Sequence, residues 1–378
     1  MSDSMPGKTE QERSARVRRL LHALSPFFGL IFIVFVFALY DAVSSGDVNT
    51  EADWARYPRG IFPTSFLETF GLERFGRIFS YVNLKTIAAQ TTAVAIGALG
   101  MTLVIIAGGI DLSAGSTIAL VTVTIALCLR GFHLPFTSED TILQTSPIVA
   151  LLAGVTVAVI IGMINGTLVT RLRIVPFIVT LGMMSAARGV AKWVSGEQKV
   201  NSGDPTWIND LLTVNQDPDA PLWDLPSGFL IFVVLAILTA LLLRFTVFGR
   251  HVFALGSNES TARLCGIRVD RTKVLVYSLA GLFVGVAGLM EFSKLSVGDP
   301  SGAQAEELQI IAAVVIGGGS LSGGKGSVLG TLIGAFIIGF LRNGCVMYDM
   351  PNPLQEVVIG AIIVAAAAVD QLQQRRRS

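Results

Sequence analysis

The sequence predicts an all-α integral membrane protein of about ten transmembrane helices, some of them broken or half-length. Three observations lead there. Apolar residues make up 52% of the 378 and charged residues only 15%, against ~25% charged in soluble domains. The mean hydropathy is +0.65. The apolar residues fall into runs near the ~20 residues that cross a hydrocarbon core, and glycine pairs interrupt two of those runs.

Along the chain, residues 1–23 are polar and basic and predict a cytoplasmic tail. The apolar run that follows ends in Tyr40-Asp41-Ala42-Val43 without a small-x-small cleavage site, so 24–43 is expected to be an uncleaved first span. Hydropathy and turn signals then place spans at 84–107, 113–130, 147–170, 174–194, 227–247, 274–293, 305–317, 327–346 and 353–370, all within a membrane domain of 24–370. Segment 305–317 is too short for a full crossing and predicts a half-helix that enters a cavity. Residues 371–378 form a second basic tail.

Two connections are long. Segment 44–83 and segment 196–226 are expected outside, the second carrying six acidic residues together with Pro205, Pro218, Pro221 and Pro226, which favour an irregular surface loop. With both termini inside, 17 of the 28 Lys and Arg residues fall in cytoplasmic segments and six in outer loops. That bias supports the orientation. It also puts the charged island 249–273, within the loop 248–273, in the cytoplasm.

The island predicts a short helix. Asn258 is a good N-cap, Glu259 suits the positive N-terminus, Arg263 lies in the last turns and Gly266 supplies a stop. Such an element docks against a partner or simply connects two spans in water, and charge alone leaves both open.

An internal echo links 108–115 (GGIDLSAG) with 317–324 (GGGSLSGG), five identities in eight, and suggests a parallel repeat. Gly108 and Gly109, like Gly318, break an apolar run. Asp111 and its counterpart Ser320 can each accept from backbone N–H groups where a helix restarts, although an intramembrane carboxylate is also a natural ion site. The run 319–326 (GSLSGGKG) resembles a phosphate-binding loop but has Gly326 where a hydroxyl must hold magnesium, and no strand precedes it. Any ATP hydrolysis therefore belongs to another chain.

Gln90, Thr91, Thr92, Asn165, Thr180 and Gln309 are neutral hydrogen-bonding groups inside the spans. They suit a hydroxyl-rich solute better than an ion, or serve as glue between helices. Arg188 and Lys192, one turn apart, are expected to snorkel to the headgroups. The glycine series at 326, 330 and 334, with Gly162/Gly166 and Gly281/Gly285, predicts close helix approach and a compact bundle or a dimer face. Cys128, Cys265 and Cys345 lack metal or redox spacing, and His22, His133 and His251 are isolated. No catalytic constellation or metal site emerges, and a net charge of +1 without a basic stripe gives no argument for nucleic acid.

Three ordered segments, 100–116 (GMTLVIIAGGIDLSAGS), 254–267 (ALGSNESTARLCGI) and 311–326 (IAAVVIGGGSLSGGKG), closely resemble the permease subunits of bacterial ribose/xylose/galactose-type ABC importers. The likeness runs over roughly 75–370. It implies a pore subunit in the inner membrane, paired with a second copy or a paralogue, served outside by a periplasmic sugar-binding protein and inside by an ATPase that holds ATP and magnesium. The chain itself would need no cofactor and perform no chemistry. The positions matching the family's coupling helix are Asn258, Glu259, Arg263, Leu264 and Gly266, and the expected pathway residues are Gln90, Thr91, Asn165 and Gln309. Longer outer segments at 44–70 and 196–226 depart from the shorter members. Two other classes stay open: an ion-driven carrier using Asp111, and a membrane scaffold without transport.

Overall fold

The computed structural model describes residues 78–133, 142–143, 145–217 and 221–348, with isolated positions between 350 and 364. The expected first span, both basic tails and most of segment 44–83 lie outside the described residues, and 353–370 is represented only by those isolated positions.

Ten helices follow in order among the described residues: α1 (Tyr81–Ile106), α2 (Ala114–Arg130), α3 (Pro147–Arg171), α4 (Pro176–Ser195), α5 (Ser227–Phe245), α6 (Val247–Ser257), α7 (Glu259–Leu264), α8 (Val269–Leu295), α9 (Glu306–Ile316) and α10 (Val328–Met347). Helices thus occupy each of the eight expected spans between 84 and 346. Five, α1, α3, α5, α8 and α10, are long and apolar enough to cross a membrane. The others fall short for different reasons. Helix α2 has 17 residues, α4 is less apolar, and α9 has 11 residues, about 16 Å at the helical rise against a ~30 Å core.

The all-α expectation needs one correction, because two short ladders form in the connections. Strand β1 (Phe132–His133) pairs antiparallel with β2 (Ile142–Leu143), and β3 (Val200–Asn201) pairs with β4 (Val297–Gly298), opposing Val200 to Gly298. The second ladder ties the long 196–226 connection to the link between α8 and α9.

Helix starts are chemically marked. Pro147 and Pro176 open α3 and α4, where a missing N–H costs nothing. Ser80 and Ser327 cap α1 and α10 by accepting from the Asn83 and Gly330 N–H groups at 3.3 and 3.0 Å.

Helix α8 is the axis of the bundle, packing on α1, α2 and α3. The small residues explain how closely it approaches α3. A methyl group on Gly162 would strike the Tyr277 carbonyl oxygen, and one on Gly285 would lie 2.9 Å from the Val155 Cα. Gly330 and Gly334 likewise rest on the Gly317 and Ala313 carbonyls of the α9 end. These glycines are spent on packing within the chain, not on a dimer face.

Burial divides the helices by role. The apolar window of α1 is 94% buried, whereas those of α3 and α5 are 28% buried. Leu152, Ile160, Leu238 and Leu241 point outward from α3 and α5, as lipid-facing residues should. At the start of α1 the amides of Asn83 and Asn343 exchange two hydrogen bonds, at 2.9 and 3.0 Å, joining α1 to α10.

Candidate functional site

Three of the four expected pathway residues come together. Gln90, Thr91 and Gln309 line one cavity of about 200 Å³ between α1, α9 and α10, with Lys294 and Arg342 on its wall. Thr91 is 3% exposed, and its hydroxyl has no hydrogen-bond partner among the described residues. Gly339 of α10 makes room for it, since a Cβ there would fall on the Thr91 Oγ1. Lys294 donates to both carboxylate oxygens of buried Glu291 at 3.1 Å, so one cation of the wall is matched inside the bundle. A second cavity of about 270 Å³ shares Gln90 and Lys294 and extends beneath Leu212–Val214 and Gln216 of the long connection. The polar lining is thus continuous from that connection into the bundle.

The fourth expected pathway residue sits elsewhere. Asn165 is fully buried and donates to the Ser113 Oγ at 3.0 Å, beside the break between α1 and α2. Thr92 bonds back to the Ala88 carbonyl of its own helix, and Thr180 bonds the Ile110 carbonyl, tying α4 to the same break. Asn165 and Thr180 thus join helices at the break, Thr92 is bonded within α1, and none of the three lines the cavity.

At the break, α1 ends on Gly108, whose φ of +81° suits glycine. The Gly108 and Gly109 N–H groups return to the Ile105 and Val104 carbonyls at 2.9 Å. Asp111 is buried, and its Oδ1 accepts from the Ser113 N–H at 2.9 Å and the Ser113 hydroxyl at 2.6 Å. Helix α2 restarts immediately behind it.

The second break has the same cap, displaced by one residue from the sequence alignment. Gly318, with φ of +88°, corresponds to Gly108, and the Gly318 and Gly319 N–H groups return to the Val315 and Val314 carbonyls. Beyond the cap the two diverge. Ser320 does not start a helix. Its N–H closes a turn onto the Lys325 carbonyl, and α10 begins only at Val328 under Ser327. The extra glycines at 323 and 324, both with positive φ, lengthen the link. This link is the stretch that resembled a phosphate-binding loop, and it joins two helices with no strand before it.

The short helix expected in the charged island forms as α7, flanked there by the end of α6 and the start of α8. Helix α6 runs to Ser257, and Asn258 then caps the six-residue α7, its side chain accepting from the Thr261 N–H at 2.9 Å. Glu259 meets Lys273 at 2.7 Å and Arg263 at 3.5 Å, while Arg263 also reaches Asp270 at 3.4 Å. Exposed pairs of this kind contribute little stability singly, but together they orient the turn. Gly266 ends it with φ of +82°, and a side chain there would meet nothing within 4 Å. Leu264 projects at the tip, 88% exposed.

At the α8–α9 link, Arg188 takes a role that differs from snorkelling. It donates to the Gly302 and Pro300 carbonyls at 2.6 and 3.3 Å, holding the approach to α9. Nearby, Lys199 pairs with Asp299 at 3.0 Å. Burial pulls the Asp299 carboxyl upward, but Lys199 and the N–H groups of Ser301 and Gly302 outweigh it and hold the carboxyl below its ordinary value.

Comparison with known proteins finds sequence relatives over most of this chain. The ribose import permease protein RbsC of Escherichia coli is 38% identical over 302 residues, covering 78% of this chain and 88% of that protein. RbsC of Bacillus subtilis is 32% identical over 370 residues, 96% and 98% of the two chains. The xylose transport system permease protein XylH of Haemophilus influenzae is 32% identical over 363 residues, 81% and 93%. No solved structure matches. A family model described as branched-chain amino acid transport system / permease component matches residues 83–367, a stretch that contains the cavity, both breaks and the 247–273 segment, and the chain belongs to that family.

Proposed function

We propose that the chain is the transmembrane permease subunit of an ABC importer in a bacterial inner membrane, moving a monosaccharide or related polyol by alternating access. The observation that carries this reading is the cavity where Gln90, Thr91 and Gln309 converge. Amides and a hydroxyl both donate and accept, so they match a solute dense in hydroxyls. The names of the ribose and xylose permease relatives support the same solute class.

The remaining parts of the reading follow from it. A separate ATPase binds ATP and magnesium and docks at α7 through Asn258, Glu259, Arg263, Leu264 and Gly266. A periplasmic binding protein delivers the solute to the face formed by 196–226 and the α8–α9 link. Both termini are cytoplasmic, the membrane domain spans 24–370 with about ten transmembrane helices, some of them broken or half-length, and the two glycine breaks mark the halves of a parallel repeat. A second copy or a paralogue packs against the face bearing Gln90, Lys294 and Arg342, because charged groups at membrane depth need a protein-lined or watery surround, and lipid fills the rest of the perimeter.

The test is reconstitution of this chain in proteoliposomes with its partner ATPase and binding protein, followed by uptake of labelled pentoses, hexoses and polyols. Uptake that requires ATP and the binding protein is expected. Uptake by this chain alone under a proton or sodium gradient would overturn the reading. The hydrogen bonding of Asp111 to Ser113 speaks against that carrier alternative, since its Oδ1 already accepts two protein donors.

A further inference from the structure

The strongest unassigned feature is a glycine-lined junction of three backbone segments, with the Ser257 hydroxyl at its edge beside Gly324. Gly256, in the last turn of α6, is pressed between the end of α1 and the link that follows α9. A methyl on Gly256 would strike the Ile106 carbonyl oxygen and lie 2.6 Å from the Gly324 nitrogen. A methyl on Gly323 would lie 2.7 Å from the Gly256 carbonyl oxygen and 2.9 Å from the Gly108 Cα, and one on Gly324 would lie 3.0 Å from the Ser257 Cα. The two broken segments are also tied directly, because the Gly324 N–H donates to the Ile106 carbonyl at 2.9 Å.

This junction lies two residues from Asn258, the cap of α7. Between them the chain is helical up to Ser257, and the Asn258 N–H bonds the Ala254 carbonyl at 3.1 Å. A displacement of α7 therefore reaches Gly256 through continuous hydrogen-bonded backbone. At Gly256 it meets other backbone, where no rotamer can absorb it. Packed backbone at this distance transmits a shift or separates, and does not deform smoothly.

We propose that Gly256 is the transmission joint of this permease: it conveys movement of α7 simultaneously to the end of α1 at Gly108 and to the α9–α10 link at Gly323–Gly324. The inference rests on the proposed role of α7 as the ATPase-docking element. Gly256 is a positioning residue, since it acts on the pathway only through α1 and the α9–α10 link. The hydrogen bond from Gly324 to Ile106 makes the two breaks move as one body.

The experiment compares wild type and Gly256→Ala in the reconstituted complex with its ATPase and binding protein. ATP-dependent uptake by wild type is established first, and its absence would defeat the functional reading, not the joint. In Gly256→Ala, assembly and ATP hydrolysis are expected to persist while ATP consumed per solute imported rises about tenfold or more, within the usual range of coupling energies. Unchanged uptake, or parallel loss of uptake and hydrolysis in an assembled complex, would overturn the joint. Hydrogen exchange on the wild-type complex decides the matter if the variant does not assemble. Segments 104–110, 254–262 and 321–326 should change protection together on ATP binding, and a change confined to 254–262 would overturn the proposal.

Discussion

Gly339 of α10 lies directly against the Thr91 hydroxyl of α1, so a buried cavity hydroxyl that lacks a protein partner among the described residues owes its place to an absent side chain on a neighbouring helix. An unmade hydrogen bond at a buried site costs ~1–3 kcal/mol. A solute hydroxyl would recover that cost only while it is bound.

Thr91→Val tests this. It preserves shape and removes the orphan, so thermal stability should hold or rise, while KM for the imported solute rises about tenfold, equivalent to ~1.4 kcal/mol. Gly339→Ala should raise KM as well, by pushing the hydroxyl out of line. Labelled-solute uptake and a melting curve in detergent read the two effects separately, and a fall in stability without a KM change would reassign Thr91 to packing.

Asp111 should behave as a cap. Asp111→Asn keeps an acceptor for the Ser113 N–H and is expected to retain most uptake, whereas Asp111→Ala orphans a buried donor and should cost ~1–2 kcal/mol. Loss of all uptake in Asp111→Asn, with stability intact, would instead mark an ion-binding carboxylate.

The α7 turn makes a different prediction. Its ion pairs lie at the surface, with Lys273 the most covered partner, so Glu259→Lys should cost at most ~1 kcal/mol of stability and leave membrane insertion intact while uptake and transport-stimulated ATP hydrolysis are lost. Gly266→Val should act through the backbone, because a β-branched residue at φ of +82° is strained by ~1–2 kcal/mol although space around it is open. Normal uptake in both variants would remove α7 from the coupling path.

Acid provides a fourth test, at the Lys199–Asp299 pair. The folded Asp299 carboxyl is depressed below its ordinary value, so its contribution is complete above ~3.9, the ordinary Asp value, and is lost as pH falls through the folded value. Uptake should therefore show no transition from this pair between about pH 5 and 8. Below ~3.9, as the carboxyl protonates, the ladder of β3 and β4 should loosen, measured as protease sensitivity of 196–217. Asp299→Asn should show the loosened state at neutral pH.

The helices were readable because each depends on local sequence: length, apolarity and a capping residue such as Asn258. The cavity was only half readable. Gln90, Thr91 and Gln309 stand out as polar groups in apolar runs, but Gly339 and Arg342 acquire meaning only when α10 is laid against α1. Asn165 has the same local signature as Gln90, and only the position of Ser113 separates their roles. Arg188 looked like a headgroup anchor because its partners are backbone carbonyls, which carry no side-chain signature. The glycine echo slipped by one position because identity counting weighs letters equally, whereas the cap is fixed by which glycine takes positive φ.

The pairing of Asn83 with Asn343 sets an order of events during biogenesis. The two amides are 260 residues apart in sequence, so at synthesis rates of ~5–20 residues per second α1 waits on the order of 10–50 s for its partner. Through that interval Asn83, the buried Lys85 and the other groups of α1 lack α8, α9 and α10 around them. The most enclosed helix of the bundle is thus among the first of the described helices to be made and the last to be completed around. Substitutions that slow synthesis after α1, or weaken its hold in the membrane meanwhile, should lower yield without altering the finished transporter.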